Sequence, residues 1–321
     1  MKRDLLYENI LEAIRDKISN KGILTSTLVD LLDLEKEAVY RRLRGEVAFS
    51  FSELAIVSST LGISLDNMVG GRFTNSRPFQ LRLVDYGDLD NIDYKMLEHY
   101  IYIHNLGKYD KRSRVMDCSG ILPQSLYLSY KNISRFFLFK WIYQNKEFNK
   151  KLRFQDVYPT ERLEKIQEKS VAAAKRINQT IYVWDPLIFY YLANDIRYFI
   201  SIHLLSEEDL LLLKIDLLQF LDDMEVLAFK GQFDDTGNNV YFYISGTHID
   251  TSYRCVEVKH LRVSLIRTFT LNAVVSLDHQ IYERISSWLE AIVRSSTMIS
   301  VSGGRQRIQF FEKQREVINA L

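Results

Sequence analysis

Helix caps and glycine stops recur so closely along the first seventy or so residues that only short helices fit between them. Leu5, Ile10, Ala13, Ile14 and Ile18 fall at helical spacing, and Gly22 reads as their stop. Thr25 or Ser26 reads as the cap of a second helix carrying Leu28, Leu31 and Leu32. Asp33-Leu34 reads as a tight turn. A third helix is expected from Glu35 to Arg44, halted by Gly45, with Ala38, Val39 and Leu43 facing inward. Ser50-x-x-Glu53 fits a capping box for a fourth helix through Leu54, Ile56, Val57 and Leu61, ending at Gly62. Ser64 is placed to cap a fifth, with Leu65, Met68 and Val69, before Gly70-Gly71.

Five helices this short make a small bundle that leaves one of them on its surface. A lone helix of that size fits the major groove of B-DNA. The segment Leu32-Asp33-Leu34-Glu35-Lys36-Glu37-Ala38-Val39-Tyr40-Arg41-Arg42-Leu43-Arg44-Gly45, then Phe51-Ser52-Glu53-Leu54 and Leu61-Gly62-Ile63-Ser64-Leu65-Asp66, resembles the Cro/repressor (Xre-like) helix-turn-helix domains. The resemblance covers about 50 of the 321 residues. It implies a lambda-repressor-like bundle whose third helix is the recognition helix, with Lys36, Glu37, Tyr40, Arg41 and Arg44 facing DNA. Two positions depart from the family pattern. Asp33 stands where the turn usually has Gly, and Glu35 where Ser or Thr usually caps the recognition helix.

Residues 1–72 hold ten Lys and Arg against eleven Asp and Glu, and the whole chain carries a net charge of +1. DNA binding therefore has to come from a local patch, and the sequence concentrates positive charge in Arg41, Arg42 and Arg44, with Lys36. A solvated helix face explains the same residues in an arbitrary helix. Glutamates on a recognition helix can accept from cytosine N4. They also predict weak non-specific binding, which depends on phosphate neutralisation.

Beyond a short linker at 73–80, the chain reads as helices mixed with strands. Helices are expected at 89–105, from Pro123 through Ile142, at 161–177, at 186–203 and at 207–230, the last capped by Ser206-x-x-Asp209. Residues 113–118, 180–184, 240–244, 253–258, 261–269 and 271–275 read as strands, followed by an Asp278-capped helix and a final helix from Arg305. The expected fold is mainly α with an α+β C-terminal region: the helical bundle, then a larger domain at 81–321 with a mainly antiparallel sheet, which divides, if at all, near residue 150.

No nucleotide-binding glycine loop, HExxH or GxSxG is present, so no cofactor is expected. His248, Asp250, Cys255, Glu257 and His260 crowd into thirteen positions, but their spacing matches no zinc pattern, and neither a metal nor a catalytic residue is expected. Gly303-Gly304-Arg305 reads as a turn before an anion site, and Lys108, Lys111, Arg112 and Arg114 as a solvated loop. Phe136, Phe137, Phe139, Trp141 and Tyr143 read first as core, then as a lining for an effector pocket. Two distant cysteines, no signal sequence and no long apolar run point to a cytoplasmic protein that does not enter a membrane. The expected function is a non-enzymatic, sequence-specific transcriptional regulator. Its expected partners are double-stranded DNA, a second copy in a homodimer, and a small-molecule or protein effector. The alternative is a helical module that binds a protein.

Overall fold

Apolar periodicity sets the helices here and apolar alternation the strands, but the order in which strands meet is a tertiary matter. The structure is a computed structural model that describes residues 5–18, 20–63, 65, 79–82, 84–86, 88, 92, 94–145 and 152–321. The expected fifth helix and the expected linker lie outside the described residues, apart from Leu65 and residues 79–80.

The N-terminal bundle consists of α1 (Leu5–Lys17), α2 (Lys21–Leu32), α3 (Lys36–Leu43) and α4 (Phe51–Leu61). Leu11, Ile14, Leu28, Val39, Val57 and Leu61 form its buried centre, with Leu43 and Leu54 half-buried around it. One expected boundary is corrected. Gly22 lies inside α2 rather than ending α1, and the cap is Asn20, whose Oδ1 accepts from the Gly22 and Ile23 amides at 2.9 and 3.2 Å. Thr25 and Ser26 instead bond back to the Lys21 and Ile23 carbonyls within the helix. A glycine in the first turn is tolerated because the amides there have no intrahelical partner and are claimed by the cap.

The C-terminal region runs β1 (Gln80–Arg82), α5 (Lys95–Asn105), β2 (Arg114–Ser119), α6 (Gln124–Tyr127), α7 (Lys131–Asn145), α8 (Glu161–Ala174) and β3 (Gln179–Trp184). Then come α9 (Ile188–Ser201), α10 (Glu207–Lys230), β4 (Asn239–Ile244), β5 (Tyr253–Val258), β6 (Leu261–Thr268), β7 (Asn272–Ser276), α11 (His279–Ser295), β8 (Thr297–Met298) and α12 (Gly304–Asn319). The eight strands of the described residues join one sheet in the order β1-β7-β6-β5-β2-β3-β4-β8. Pairing is antiparallel except at the centre, where β2, β3 and β4 run parallel. The expected α+β class and mainly antiparallel sheet hold. Strands from both sides of residue 150 pair directly, Asp117 lying opposite Tyr182.

Each face of the sheet is covered. Tyr182, Trp184, Val240 and Phe242 face a core filled by α7, α9, α10 and α12, to which Phe136, Phe137, Phe139 and Trp141 belong. Met116, Cys118, Ile181, Val183 and Cys255 face α11. A parallel centre needs both faces covered, and the near-continuous apolar run of β3 follows from that. Gly303 has a packing reason: a Cβ there would lie 2.1 Å from the Met298 carbonyl oxygen. No described helix is long and apolar enough to cross a membrane.

Candidate nucleic-acid interface

The turn between α2 and α3 decides how α3 is presented. Asp33 adopts the left-handed conformation (φ 50°, ψ 48°) and its amide donates to the Val29 carbonyl, which ends α2. A short side chain with a polar end is the best non-glycine choice there, so Asp33 keeps the turn that a glycine would make. Glu35 then stands extended as the N-cap residue of α3 without a side-chain cap. Eight residues give α3 a length of about 12 Å.

Val39 is buried and fixes the inner face of α3, while Lys36, Glu37, Arg41 and Arg44 are exposed and Tyr40 half-exposed. These five positions, at i, i+1, i+4, i+5 and i+8, form one outward stripe. The chain after α3 is tied down at both ends. Arg15 of α1 donates through Nη2 to the Leu43 carbonyl at the C-terminal end of α3. Tyr7 accepts from the Phe49 amide at 2.9 Å, which fixes the loop before α4. Burial raises the Tyr7 pKa, so it stays a neutral phenol that can accept this bond.

Arg42 does not belong to the outward cluster that the sequence assembles with Arg41 and Arg44. It turns inward and donates through Nε and Nη2 to the two carboxylate oxygens of Glu53, at 3.1 and 2.8 Å. Both side chains are only 17% exposed. Glu53 also closes the α4 capping box, accepting from the Ser50 amide at 2.7 Å while Ser50 Oγ accepts from the Glu53 amide at 3.2 Å. Burial works against the Glu53 carboxylate, but the Arg42 and Ser50 bonds outweigh it and hold its pKa below the ordinary value. Arg42 thus locks α3 to α4.

The outward cations are also partnered. Arg44 reaches Glu46 at 2.6 Å and Glu37 at 3.1 Å, and Arg41 lies 3.8 Å from Glu46. Lys36 sits 5.9 Å from the Tyr40 ring centre. Arg41 and Arg44 are 54% and 53% exposed, and pairs that open to water contribute little. Exchanging a glutamate for a phosphate or a guanine edge therefore costs little.

The His248–His260 segment does not converge. His248 Nδ1 lies 2.8 Å from the buried carboxylate of Asp185 and 3.0 Å from the Tyr191 hydroxyl. Cys255 is buried against Ser264 with its thiol pKa pushed up to about 12 by burial. Glu257 pairs with Arg262 at 3.0 Å, and His260 stands on the β5–β6 turn. Among the described residues no three His, Cys, Asp or Glu side chains group closely enough to hold a metal. The Asp185–His248 contact links the ends of strands far apart in sequence and was not legible from spacing. Arg114 of the basic loop pairs with Glu290 at 2.8 Å.

Comparison with curated proteins and with solved structures gives no match. Over the first quarter of the chain there is one: residues 6–80 match the BetR domain, a helix-turn-helix-like DNA-binding domain.

Proposed function

We propose that the chain is a sequence-specific transcriptional regulator in which α3 enters the major groove in the Cro/repressor manner. Lys36, Glu37, Tyr40, Arg41 and Arg44 are its reading residues. The observation that carries the proposal is the coincidence of the BetR match with an outward α3 stripe whose two arginines form ion pairs with exposed glutamates. A bidentate arginine on guanine is worth about 1–3 kcal/mol of discrimination.

The C-terminal region acts in this reading as a binding and assembly module rather than a catalyst. One short recognition helix reads few base pairs, and a two-fold dimer doubles the contact. Leu211, Ile215, Val226 and Phe229 leave apolar surface exposed along α10, which favours assembly through that helix. Selection of bound sequences from random DNA by the full chain tests the proposal. Arg41→Ala and Arg44→Ala should each weaken the selected site by about 1–3 kcal/mol. Unchanged affinity in the double variant refutes the recognition-helix assignment.

The lack of net positive charge in residues 1–72 and the exposure of Phe51 favour a second reading, in which the bundle binds a protein. Salt separates the two. DNA affinity falls steeply as salt rises, whereas an apolar protein interface is largely insensitive to it.

A further inference from the structure

Between the sheet and the helices α5 to α8 lies a cavity of about 170 Å3. An apolar cavity of about 150 Å3 holds a benzene molecule. Half of the wall is aliphatic, including Leu97, Ile101, Leu138, Leu163 and Ile166. One end is different. Asp117 of β2 pairs in register with Arg254 of β5, and Arg254 with Leu265 of β6, so the three side chains share one face of the sheet. Arg267 lies two residues further along β6, on that same face.

The charges at this end do not balance. Arg254 Nη1 is 3.7 Å from the Asp117 carboxylate, too far for a hydrogen bond, and its buried Nε has no partner. Its Nη2 is 3.1 Å from His104 Nε2. His104 Nδ1 lies 2.7 Å from the Tyr100 carbonyl and donates to it, so Nε2 is left as an acceptor and the ring is neutral. Burial and the Arg254 charge push the His104 pKa down to about 4, consistent with that tautomer. Arg267 donates to the Leu122 carbonyl at 3.2 Å and has no carboxylate partner among the described residues. Among the described residues that line this end, two guanidinium groups therefore face one carboxylate.

Two further lining groups are buried and orphaned. The Tyr127 hydroxyl has only Gln124 and Arg267 beside it, and Ser134 Oγ has no partner among the described residues; Tyr127 is wholly buried and Ser134 nearly so. Buried donors left unmade are costly and each wants an explanation. An aliphatic ligand would leave the Arg254 Nε without a partner, whereas an acceptor-rich anion between Arg254 and Arg267 can take it up.

We infer that this cavity binds a small organic monocarboxylate with a compact apolar body, its carboxylate at Arg254 and Arg267. The excess positive charge selects an anion, and the aliphatic wall selects a body of about six to ten non-hydrogen atoms. The site deepens the sensing part of the proposed function, and its regulatory meaning rests on that reading. Binding itself needs no DNA.

Calorimetric titration of the full chain with benzoate and hexanoate, each against its neutral counterpart benzyl alcohol or hexan-1-ol, tests the site. Saturable binding of at least one carboxylate, at one per chain and at least tenfold tighter than its alcohol, is expected. Arg254→Met should weaken it tenfold or more. Ala174→Leu, which fills the cavity from α8 without touching its charges, should abolish it while leaving the circular dichroism unchanged. No saturable binding of either carboxylate at millimolar concentration overturns the inference. So does equal binding of acid and alcohol, or full affinity in a folded Ala174→Leu protein. A second measurement adds the bound carboxylate to a DNA titration. A change in DNA affinity supports the effector role; an unchanged affinity overturns that role and leaves the binding site standing. Loss of DNA binding altogether counts against the proposed function, and the calorimetry still decides the site.

Discussion

Arg41 and Arg42 are neighbours in sequence and about 100° apart around α3, which makes them a sensitive test of how that helix is set. Arg42→Ala removes two charge-assisted hydrogen bonds to Glu53 and a third contact, at 3.3 Å, to the Ala38 carbonyl. Glu53 keeps its bond from the Ser50 amide, so the carboxylate is not stranded. Hydrogen bonds to charged groups are worth about 1.5–3 kcal/mol each when buried. With both side chains 17% exposed, a loss of about 1–3 kcal/mol in the bundle is expected for the set. For a domain this small, each kcal/mol moves the melting temperature by roughly 4–8 °C. Arg41→Ala, at a side chain half open to water, should leave stability unchanged and cost only DNA affinity.

Hydrogen exchange across residues 20–63 of the full chain reads both variants at once. Arg42→Ala should raise exchange through α3 and α4, and Arg41→Ala should not. The effect depends on pH in a definite direction. The folded pKa of Glu53 is depressed, so the contribution of its bonds is complete above the ordinary value of 4.5 and is lost as pH falls through the lower folded value. The difference between wild type and Arg42→Ala should therefore shrink in acid. If Arg42→Ala leaves exchange unchanged and abolishes DNA binding instead, α3 is rotated from the setting described here and the outward stripe is misassigned.

Leu28→Ala, at a wholly buried position, should destabilise the bundle by about 2–5 kcal/mol, and Leu43→Ala, at its half-buried edge, by less; chemical denaturation read by exchange in residues 20–63 orders them. Gly303→Ala would force its new methyl to within 2.1 Å of the Met298 carbonyl, so a fall in melting temperature of the C-terminal region is expected, and an unchanged melt would contradict the packing at that turn. Light scattering should find a dimer at micromolar concentration, and Ile215→Asp with Phe229→Asp should convert it to a monomer; a monomeric wild type removes the assembly proposal. Elemental analysis should find no stoichiometric metal, and a metal lost on Cys255→Ala or His260→Ala would make that segment a site.

What the sequence discloses is what short-range chemistry determines. The Ser206-x-x-Asp209 box marks the start of a helix whose expected bounds, 207–230, are the observed ones, because both halves of the cap are local and Gly231 ends it in a left-handed turn. Asp278 and Ser50 act as caps for the same reason. The Asn20 cap is masked in the sequence by Gly22, two residues later, which reads as a stop although it lies in the first turn of α2. The inward turn of Arg42 is invisible in sequence, since its partner lies eleven residues away on another helix. The parallel centre of the sheet and the charged end of the cavity are further out of reach. Asp117, Arg254 and Arg267 come from three strands and become neighbours only through register.

That register also connects the two ends of the molecule. The strands that floor the cavity, through Val263, Leu265 and Arg267 on β6 and Ala273 on β7, run on to the N-terminal bundle. Lys17 of α1 donates to the Leu277 carbonyl just past β7 at 3.3 Å, and Gly62 at the end of α4 packs near Leu277 and Leu261. Burial lowers the Lys17 pKa, with Asp278 opposing and Arg262 adding to the shift. A bound anion can act on the bundle only to the extent that it binds two placements of these strands with different affinity. Couplings between sites usually amount to about 1–3 kcal/mol, and one additional charge-assisted hydrogen bond at Arg254 or Arg267 in one placement is of that size. Linkage then works in both directions: whatever factor the carboxylate imposes on DNA affinity, DNA imposes on the carboxylate.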